Sequence, residues 1–366
     1  MLKNETIAVV VPAYNEEKQI GMVVATMPRF VDRIIVVNDC STDNTAKIIE
    51  NFILNDKKDY TNSRIGPRKI KRTFYNESEI VLQDLSKREL NYFIPSEIVN
   101  RNPSSNRIIL INHLKNGGVG ASIARGYKWA KDNNIDCTAV MAGDGQMDPE
   151  ELESICKPVL EEGIDYVKGN RLIHRSARLV IPKRRYLGNS ILSILTKIAS
   201  GYWRISDTQT GYTAISLNAL KAIDIHKIYP RYGMPNDLLV KLNIASCTIK
   251  EVPIKPVYHV GEKSKMRIGK VIPQISLLLI RSFFVRLWQK YFVRQFHPLF
   301  LFYVLAFFLL ILSIPFGVMI FKNMLIPGKI TPNSTLIIFI FLFISSFQSL
   351  LFAMWMDIQD NERLYK

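Results

Sequence analysis

Two long runs without a charged residue lie near the end of the chain, at residues 299–321 and 334–356. As a helix, each run is long enough to cross a bilayer core of about 30 Å. The alternative is a pair of buried core helices, but two uncharged runs of spanning length are rare in a soluble domain. The sequence therefore predicts two transmembrane helices joined by a tight turn at residues 322–333, where prolines and a glycine interrupt helix formation.

The distribution of basic residues predicts on which side of the membrane the rest of the chain lies. Residues 263–294 carry eight lysines and arginines and no acidic residue. The turn between the two apolar runs offers only Lys322 and Lys329. Basic residues remain on the cytoplasmic side. We therefore expect a multi-pass protein of a cell membrane or an ER-type membrane, with its large domain and both chain ends in the cytoplasm.

The segment 271–296 mixes large apolar residues with regularly spaced arginines and lysines. This pattern predicts one or two amphipathic helices lying on the membrane surface, with an ordinary packed helix as the alternative. The segment also accounts for part of the net charge of +16. A lipid bilayer is therefore the expected partner for this charge, and nucleic acid is not. The four cysteines form no Cys-x-x-Cys pair, which indicates reduced thiols in a cytosol-facing protein.

Short apolar segments alternate with helical patterns before the basic segment. The predicted strands cover residues 7–11, 33–37, 108–111, 137–141, 166–168, 213–216 and 248–252. The predicted helices include residues 121–132, 184–200 and 236–245, and a further helix begins at Pro149. Strands that alternate with helices predict an α/β fold, in which helices cover both faces of a mostly parallel sheet.

The predicted organisation has three parts, at residues 1–262, 263–296 and 297–366: an α/β domain, a basic loop with interfacial helices, and the transmembrane hairpin with a short tail. Residues 55–106 are rich in charged and polar residues and form an expected surface insertion within the first part. We expect it to be partly disordered or to carry a small helix near residues 85–91.

A polar turn follows the strand predicted at residues 137–141. Asp144 and Gln146 lie on this turn, at the carboxyl end of the strand, where open α/β sheets bind their ligands. A carboxylate and an amide oxygen two residues apart can share one hard divalent cation, and a cation there can hold a diphosphate. Ala142 stands where a full Asp-x-Asp pair has its first carboxylate. The turn therefore predicts a site for Mg²⁺ or Mn²⁺ with part of its ligands missing.

The first two strands end in residues suited to a nucleotide. Tyr14 can stack on a base, and the carboxylates of Glu16 and Asp39 can accept hydrogen bonds from a base or a ribose. Each residue alone is weak evidence, because such residues are common in turns and at helix starts. Residues 117–120, Gly-Gly-Val-Gly, open the third helix, and their small size lets a nucleotide approach the backbone closely. They match neither a Walker loop nor the dinucleotide fingerprint.

In this order and at these strand ends, the motifs resemble those of family 2 glycosyltransferases of the GT-A fold. They are most similar to dolichyl- and polyprenyl-phosphate sugar synthases of the dolichol-phosphate mannose synthase type. The resemblance covers about residues 7–266 apart from the insertion. It implies an inverting enzyme that uses Mg²⁺ or Mn²⁺ at the cytoplasmic face of the membrane. Such an enzyme moves a hexose from a nucleotide-diphosphate donor, GDP-mannose or a UDP-hexose, to dolichyl or polyprenyl phosphate.

The resemblance also implies roles for the residues that match the family's motifs. The implied donor contacts are Pro12, Tyr14, Glu16, Val37, Asp39, Gly120, Gly143, Asp144, Arg171 and Lys265. Asp144 and Gln146 match the metal ligands, and Arg184 or Arg185 matches the residue that receives the acceptor phosphate. Two positions depart from the family pattern: Ala142 in the metal turn, and His259, which stands where the family has a loop arginine.

Three functions stay open at this point. A phosphate acceptor is already anionic near neutral pH and needs no strong general base, whereas a sugar or glycolipid hydroxyl does. Asp237 is the best candidate for such a base, and the N-cap of a helix is its alternative role. The third possibility is a non-catalytic membrane scaffold, which only Ala142 supports. A homo-oligomer is a further open possibility.

Overall fold

The computed structural model describes residues 5–56, 58–67, 71–177, 183–257 and 268–366, without the side chains of residues 183–187, 189 and 268–271. Lys265 and His259 therefore lie outside the described residues. Of Arg184 and Arg185 only the helical backbone is described.

Eight strands form one mixed, mostly parallel sheet. They are β1 Ile7–Ala13, β2 Arg33–Asn38, β3 Ser96–Ile98, β4 Ile108–His113, β5 Cys137–Val140, β6 Tyr166–Asn170, β7 Thr213–Ser216 and β8 Ile249–Pro253. Their order across the sheet is β3-β4-β2-β1-β5-β7-β6-β8. The pairs β1/β2, β2/β4, β1/β5 and β6/β8 are parallel, whereas β3 and β7 run antiparallel to their neighbours. The predicted α/β class and its mostly parallel sheet are confirmed.

Helices cover both faces of the sheet and form the C-terminal part of the chain. They are α1 Ile20–Ala25, α2 Thr45–Asn55, α3 Glu77–Glu89, α4 Val119–Asp132, α5 Leu152–Glu161, α6 Lys183–Ser200, α7 Leu217–Ala222, α8 Met234–Ile244, α9 Ile268–Arg286, α10 Pro298–Met324 and α11 Asn333–Glu362. A π-helical segment, Leu287–Arg294, continues α9. Short 3₁₀ turns lie at Leu90–Tyr92, Pro149–Glu151 and Ile225–Lys227.

The strands are apolar on both faces because the sheet is buried on both sides. In β1, the side chains of Val9 and Val11 pack into one apolar core, and those of Ala8 and Val10 pack into the other. This is the pattern of a strand inside a parallel sheet, whose alternate side chains point to opposite faces.

The insertion is more ordered in its described part than we expected. Its helix α3 begins at Glu77, eight residues before the predicted start. The edge strand β3 was not predicted, and it pairs with β4. The insertion is tied to α4, where the fully buried Lys128 donates hydrogen bonds to Ser86 and to Asp132. The described insertion therefore packs against the α/β domain.

Helices α10 and α11 are long and apolar enough to cross a membrane. Only 11% and 17% of their most apolar stretches are buried inside the structure. Core helices of a soluble domain are mostly buried, so this exposure favours the predicted transmembrane hairpin over that alternative. The two helices pack on each other, and the Ser346 hydroxyl of α11 donates to the carbonyl of Ala306 in α10 at 2.8 Å.

The end of α11 is tied back to the α/β domain. Asp357 accepts two hydrogen bonds from the guanidinium of Arg286 in α9, at 2.7 and 2.9 Å, and both side chains are fully buried. The Arg286 guanidinium also donates to the carbonyl of Ala199, the penultimate residue of α6. After α11, Leu364 is buried in the core of the α/β domain, and Tyr365 forms a parallel bridge with Ile249 of β8. The last residues of the chain are thus part of the α/β domain.

Candidate functional site

The polar residues predicted at the strand ends come together at one edge of the sheet. Strands β1, β2, β4, β5, β6 and β8 all point the same way, so their carboxyl ends share that edge. The residues gathered there are Tyr14, Glu16, Asp39, Asp144, Gln146 and Arg171. Pro12 and Val37 lie inside the strands instead, opposite each other in register and buried. The Val37 side chain belongs to the core, which leaves only its backbone for contact with a ligand.

Tyr14 and Glu16 are on a loop that is fixed to the loop after β2. Asn15 has a positive φ of 54°, its amide donates to the Ser41 hydroxyl at 3.0 Å, and its side chain accepts from the amide of Thr42 at 2.8 Å. The amide of Glu16 donates to the Thr45 hydroxyl at 2.9 Å. Tyr14 is 38% exposed at this edge. The two loops therefore hold an accessible aromatic ring and a carboxylate on a fixed backbone.

Asp39 is almost fully buried and organises the glycine-rich segment. Its Oδ1 accepts from the amide of Gly117 and contacts Nδ1 of His113, both at 2.8 Å, and its Oδ2 accepts from the amide of Gly118 at 2.7 Å. Burial alone would raise the pKa of Asp39, but the hydrogen bonds from His113, Gly117 and Gly118 outweigh it and lower the pKa. Asp39 is thus an ionised acceptor that joins the ends of β2 and β4.

Gly120 is required by the protein's own backbone. A Cβ at this position would lie 2.1 Å from the carbonyl oxygen of Tyr229, closer than any side chain allows. The adjacent carbonyl of Pro230 accepts a hydrogen bond from the amide of Ala121 at 3.1 Å. The close approach that we predicted for a nucleotide is therefore made, at Gly120, by the segment that precedes α8.

Asp237 holds that segment in place. Its Oδ2 accepts from the amide of Tyr229 at 2.8 Å and from the ammonium group of Lys241 at 2.5 Å, and the residue is only 6% exposed. Asp237 is not the N-cap of α8, because Gly233 occupies that position. Its carboxylate is thus engaged in a buried ion pair and in the support of a backbone turn.

Asp144 and Gln146 lie on a tight turn after β5. The Asp144 Oδ1 accepts from the amide of Gln146 at 3.1 Å, with Gly145 between them at a positive φ of 74°. Gly143 continues the pairing of β5 with β1 through a hydrogen bond to the carbonyl of Pro12, and a Cβ on it would lie 3.2 Å from that oxygen. This turn presents a carboxylate and an amide oxygen at the carboxyl edge of the sheet.

The donor atoms of this turn are of the kind that Mg²⁺ prefers, but they make up only part of a ligand set. Over the residues that the structure describes, no group of three or more His, Cys, Asp or Glu side chains is arranged to hold a metal. Mg²⁺ is commonly bound through one or two carboxylates, substrate phosphates and several waters. Asp144 with Gln146 supplies such a partial set of oxygen ligands.

Arg171 follows β6 and forms an ion pair with Asp207. Its Nε donates to Asp207 Oδ2 at 2.8 Å and its Nη2 donates to Oδ1 at 3.1 Å. Asp207 is fully buried, whereas the Arg171 side chain is 24% exposed. The Arg171 side chain therefore combines a contact with a buried carboxylate with partial exposure, directly after the carboxyl end of β6.

Four polar residues of this region were not predicted from the sequence. They are His113, Lys168, Asp207 and Glu251. A signal existed for two of them, since Lys168 interrupts an apolar strand and Asp207 opens the polar run Asp-Thr-Gln-Thr-Gly before β7. His113 and Glu251 occupy ordinary strand positions, and only the fold shows their partners.

Comparison with known proteins agrees with this geometry. Residues 8–64 and 68–224 match the family model described as Glycosyl transferase family 2. A UDP-N-acetylglucosamine–dolichyl-phosphate N-acetylglucosaminyltransferase of Methanococcus voltae is 29% identical over 258 residues, which cover 70% of this chain and 88% of that protein. A dolichyl-phosphate beta-glucosyltransferase of Trichomonas vaginalis is 26% identical over 295 residues, which cover 75% of this chain and 70% of that protein.

Two further matches either cover less of the chain or have a lower identity. An undecaprenyl-phosphate mannosyltransferase of Micrococcus luteus is 27% identical over 163 residues, covering 44% of this chain and 66% of that protein. The crystal structure of glucosyl-3-phosphoglycerate synthase from Mycobacterium tuberculosis, with Mn²⁺, UDP and glucosyl-3-phosphoglycerate, superposes with a TM-score of 0.47 at 18% identity. That match covers 77% of this chain and 80% of the other. Because the family model matches more than half of the residues, the chain is an enzyme that belongs to glycosyl transferase family 2.

Proposed function

We propose that this glycosyltransferase transfers a hexose, with inversion at the anomeric carbon, from a nucleotide-diphosphate sugar to dolichyl or another polyprenyl phosphate. The donor is GDP-mannose or a UDP-hexose. Relatives that match most of the chain are named for transfer to dolichyl phosphate, which supports this class of acceptor. The site at the carboxyl edge of the sheet supports a nucleotide donor through Tyr14 and Glu16, whereas the buried Asp39 holds the glycine-rich segment.

The observation that carries the choice of acceptor is the state of Asp237. A hydroxyl acceptor requires a general base within reach of its proton. Asp237 was the best candidate, but its carboxylate is ion-paired with Lys241, supports the amide of Tyr229 and is nearly inaccessible. A phosphate acceptor needs no strong base because it is already anionic. The structure around Asp237 therefore supports a phosphate acceptor over a saccharide or glycolipid hydroxyl.

Different residues of the site serve donor binding and stabilisation of the leaving diphosphate. Asp144 and Gln146 would hold Mg²⁺ or Mn²⁺, which supplies positive charge to the departing diphosphate. Tyr14 and Glu16 offer a stacking surface and a carboxylate to the nucleoside. Arg171 offers a guanidinium to a phosphate, because it lies at the same edge.

The described helices support a location beside a membrane. The apolar side chains of Ile191 and Ile194 in α6, and of Leu277 and Phe284 in α9, are all at least half exposed. Helices α6 and α9 pack on each other, and α9 continues through the π-helical segment into α10. An exposed apolar surface that leads into a spanning helix fits an interfacial position, with the domain on the cytoplasmic side. This position would bring a membrane-embedded acceptor to the domain.

Turnover assays on the full chain in detergent test this proposal. UDP- and GDP-sugars are each incubated with Mg²⁺ or Mn²⁺, with and without a polyprenyl phosphate, and the lipid product is analysed for its anomeric configuration. We expect release of the nucleoside diphosphate to depend on the lipid phosphate, and Asp144→Ala to abolish it. Turnover that needs a hydroxyl acceptor instead, or that no lipid phosphate stimulates, would refute the proposed acceptor.

The same assays address a non-catalytic scaffold. Binding of a labelled nucleotide sugar that Asp144→Ala leaves unchanged, with no turnover in either protein, would favour that role. Weaker binding and lost turnover in Asp144→Ala would exclude it.

A further inference from the structure

A cluster of charged side chains lies at the carboxyl ends of β6 and β8 and in the segment before β7. Its cations are Lys168 and Arg171, and its carboxylates are Asp207 and Glu251. Lys168 and Asp207 are fully buried, and the Arg171 side chain is 24% exposed. Burial lowers the pKa of Lys168 to about 8, against the opposing charges of Asp207 and Glu251. Arg171 thus connects this buried cluster with the edge of the sheet where the candidate site lies.

The contact between Asp207 and Arg171 fixes the plane of the guanidinium. Both carboxylate oxygens are used, one by Nε at 2.8 Å and the other by Nη2 at 3.1 Å. The backbone amide of Arg171 also donates to Oδ2 of Asp207 at 3.2 Å. A bidentate contact defines the orientation of an arginine far better than a single hydrogen bond does. Side chain and backbone of Arg171 are therefore held by one carboxylate.

Asp207 is itself held in place from β8. Oε1 of Glu251 accepts from the backbone amides of Ser206 and Asp207, at 2.9 and 3.1 Å. Oε2 of Glu251 accepts from the side-chain amide of Asn170, the last residue of β6, at 2.7 Å. Burial alone would raise the pKa of Asp207, but the charges of Arg171 and Lys168 outweigh it and lower the pKa. The carboxylate is thus ionised, and the residues that fix it lie on β8 and directly after β6.

We propose that Asp207 is a positioning residue, which holds the Arg171 guanidinium at the carboxyl edge of the sheet so that it meets a bound phosphate group in a fixed orientation. The inference rests on the proposed function only for the source of that phosphate. The source is either the diphosphate of the nucleotide donor or the phosphate of the prenyl acceptor, since a guanidinium binds both in the same way.

Binding measurements on the full chain in detergent test this inference without requiring turnover. The variants are Asp207→Asn, Arg171→Lys and the double variant. The donor probes are UDP against uridine and GDP against guanosine, and the acceptor probes are a short-chain prenyl phosphate against the corresponding prenol. Loss of one charge-assisted contact is expected to weaken binding of the phosphate-bearing probe about tenfold or more. Binding of uridine, guanosine and the prenol should stay unchanged.

The double variant should bind no more weakly than Arg171→Lys alone, because Asp207 acts only through the guanidinium that Arg171→Lys already removes. A loss confined to the diphosphates assigns Arg171 to the donor, and a loss confined to the prenyl phosphate assigns it to the acceptor. If Asp207→Asn unfolds the protein, Arg171→Lys with Arg171→Ala carries the test, because lysine keeps the charge but loses the planar fork.

Asp165→Asn is the matched control. Asp165 lies just before β6, at the opposite edge of the same strands, and its carboxylate accepts from the amide and hydroxyl of Thr248. We expect this variant to lower thermal stability without changing the binding of any probe. Unchanged binding of all probes in Asp207→Asn, or an equal loss for probes with and without phosphate, would overturn the positioning role. The proposed function stands or falls separately, on turnover of the unmodified chain.

Discussion

Asp39 is ionised, buried and bonded on both carboxylate oxygens, so its replacement should be costly. In Asp39→Asn, the side-chain amide NH₂ would face one of the donors that now meet Asp39: the backbone amide of Gly117, that of Gly118 or the ring of His113. We expect a loss of about 1–3 kcal/mol of stability near neutral pH, as for a buried donor left unsatisfied. Thermal unfolding in detergent measures it.

The stability difference between the unmodified chain and Asp39→Asn should depend on pH, in a direction that follows from the lowered pKa of Asp39. The pKa of Asp39 is lowered in the folded protein, so the stabilisation is present above the unfolded-state pKa of about 3.9 and is lost as the pH falls below it. The stability difference between the unmodified chain and Asp39→Asn should therefore be constant from pH 6 to 8 and shrink in acid, below about pH 4. Asp84→Asn, at an exposed ion pair with Lys87, should show no such difference. A stability difference that widens in acid would contradict the assignment of Asp39 as an ionised acceptor.

Replacement of Asp237 tests whether this residue has a structural or a catalytic role. As the support of Tyr229 it should tolerate Asp237→Asn with less than a hundredfold loss of turnover, whereas removal of a general base costs about 10²–10⁴-fold. Lys241→Met removes the cation of the same ion pair. It should lower thermal stability about as much as Asp237→Asn does. Kinetics with a polyprenyl phosphate acceptor provide the measurement. A collapse of kcat in Asp237→Asn alone, with normal turnover in Lys241→Met, would identify Asp237 as a base.

At the scale of single residues, the sequence located the strand-end side chains but not their partners. Asp39 was predicted because a carboxylate followed a strand, and that position is where the structure has it. Its contact with His113 joins residues 74 positions apart in the chain, and no local pattern encodes such a pair. Asp237 shows the same limit. Its place near a helix start was visible, whereas its link to Tyr229 depends on how the preceding turn folds back.

At the scale of elements, Gly120 decides how α4 meets the segment before α8. A methyl group there would collide with the carbonyl of Tyr229, which is backbone and has little freedom to move. We expect Gly120→Ala to cost about 2 kcal/mol or more through a displaced backbone. In addition, it should weaken nucleotide binding, because α4 follows the segment that Asp39 holds. Thermal unfolding and titration with UDP or GDP give both quantities.

Gly21→Ala provides the matched control for Gly120→Ala. Gly21 is also helical, and its added Cβ would lie 3.7 Å from the side chains of Ile48 and Phe52, an ordinary packing distance. Alanine is the better helix former, so this variant should be neutral or slightly stabilising. Equal effects of the two changes would mean that the contact with Tyr229 is not what constrains Gly120.

The elements themselves were largely predictable, and the exceptions have physical causes. Strong β-branched runs gave β1, β2 and β4, and the family match together with the mostly parallel sheet confirms the predicted GT-A type of α/β fold. Strand β3, Ser-Glu-Ile, is short and polar, so its strand character comes from pairing with β4 and not from its own sequence. Helix α3 is polar with a small apolar face, which is why only its end was anticipated.

At the scale of the whole molecule, the chain returns to its α/β domain after the second apolar helix. Because Leu364 and Tyr365 pack on that domain, both ends of the hairpin formed by α10 and α11 must face the same side of a membrane. The charge distribution favours the proposal that this side is the cytoplasm. In a Cys40→Ser background, Lys329→Cys in the exposed turn should react with a membrane-impermeant maleimide in intact cells. Lys366→Cys should react only after permeabilisation.

Each other labelling pattern has a definite meaning. Labelling of Lys366→Cys but not Lys329→Cys in intact cells would reverse the orientation. Labelling of both residues in intact cells, or of neither, would show that the hairpin does not cross the membrane. Cys40→Ser is needed because Cys40 is the exposed one of the four cysteines, and the other three are buried.

The buried pair of Arg286 and Asp357 is one of the contacts that join the hairpin to the α/β domain, and it gives the sharpest test of that connection. Both side chains have no exposure, and Asp357 also accepts from Tyr291 at 2.8 Å. Asp357→Ala leaves a buried guanidinium without its counter-charge, which costs about 3–5 kcal/mol. Unfolding in detergent, followed by circular dichroism, should show this loss. We expect this loss because Arg286 is desolvated both in the unmodified chain and in Asp357→Ala. Only in the unmodified chain does the attraction of Asp357 offset the cost of that desolvation.

The double change Arg286→Met with Asp357→Leu separates this explanation from a simple loss of contacts. It removes both charges and keeps apolar volume, so it should be less destabilising than Asp357→Ala alone, as found when buried ion pairs are replaced together. Glu362→Gln at the exposed pair with Arg204 is the control, and solvent screening should hold its effect below about 1 kcal/mol. Additive losses in the double variant would show that the pair contributes contacts and not charge balance. In that case the hairpin would be held by the apolar packing of α9 and α10 around Phe283 and Tyr303.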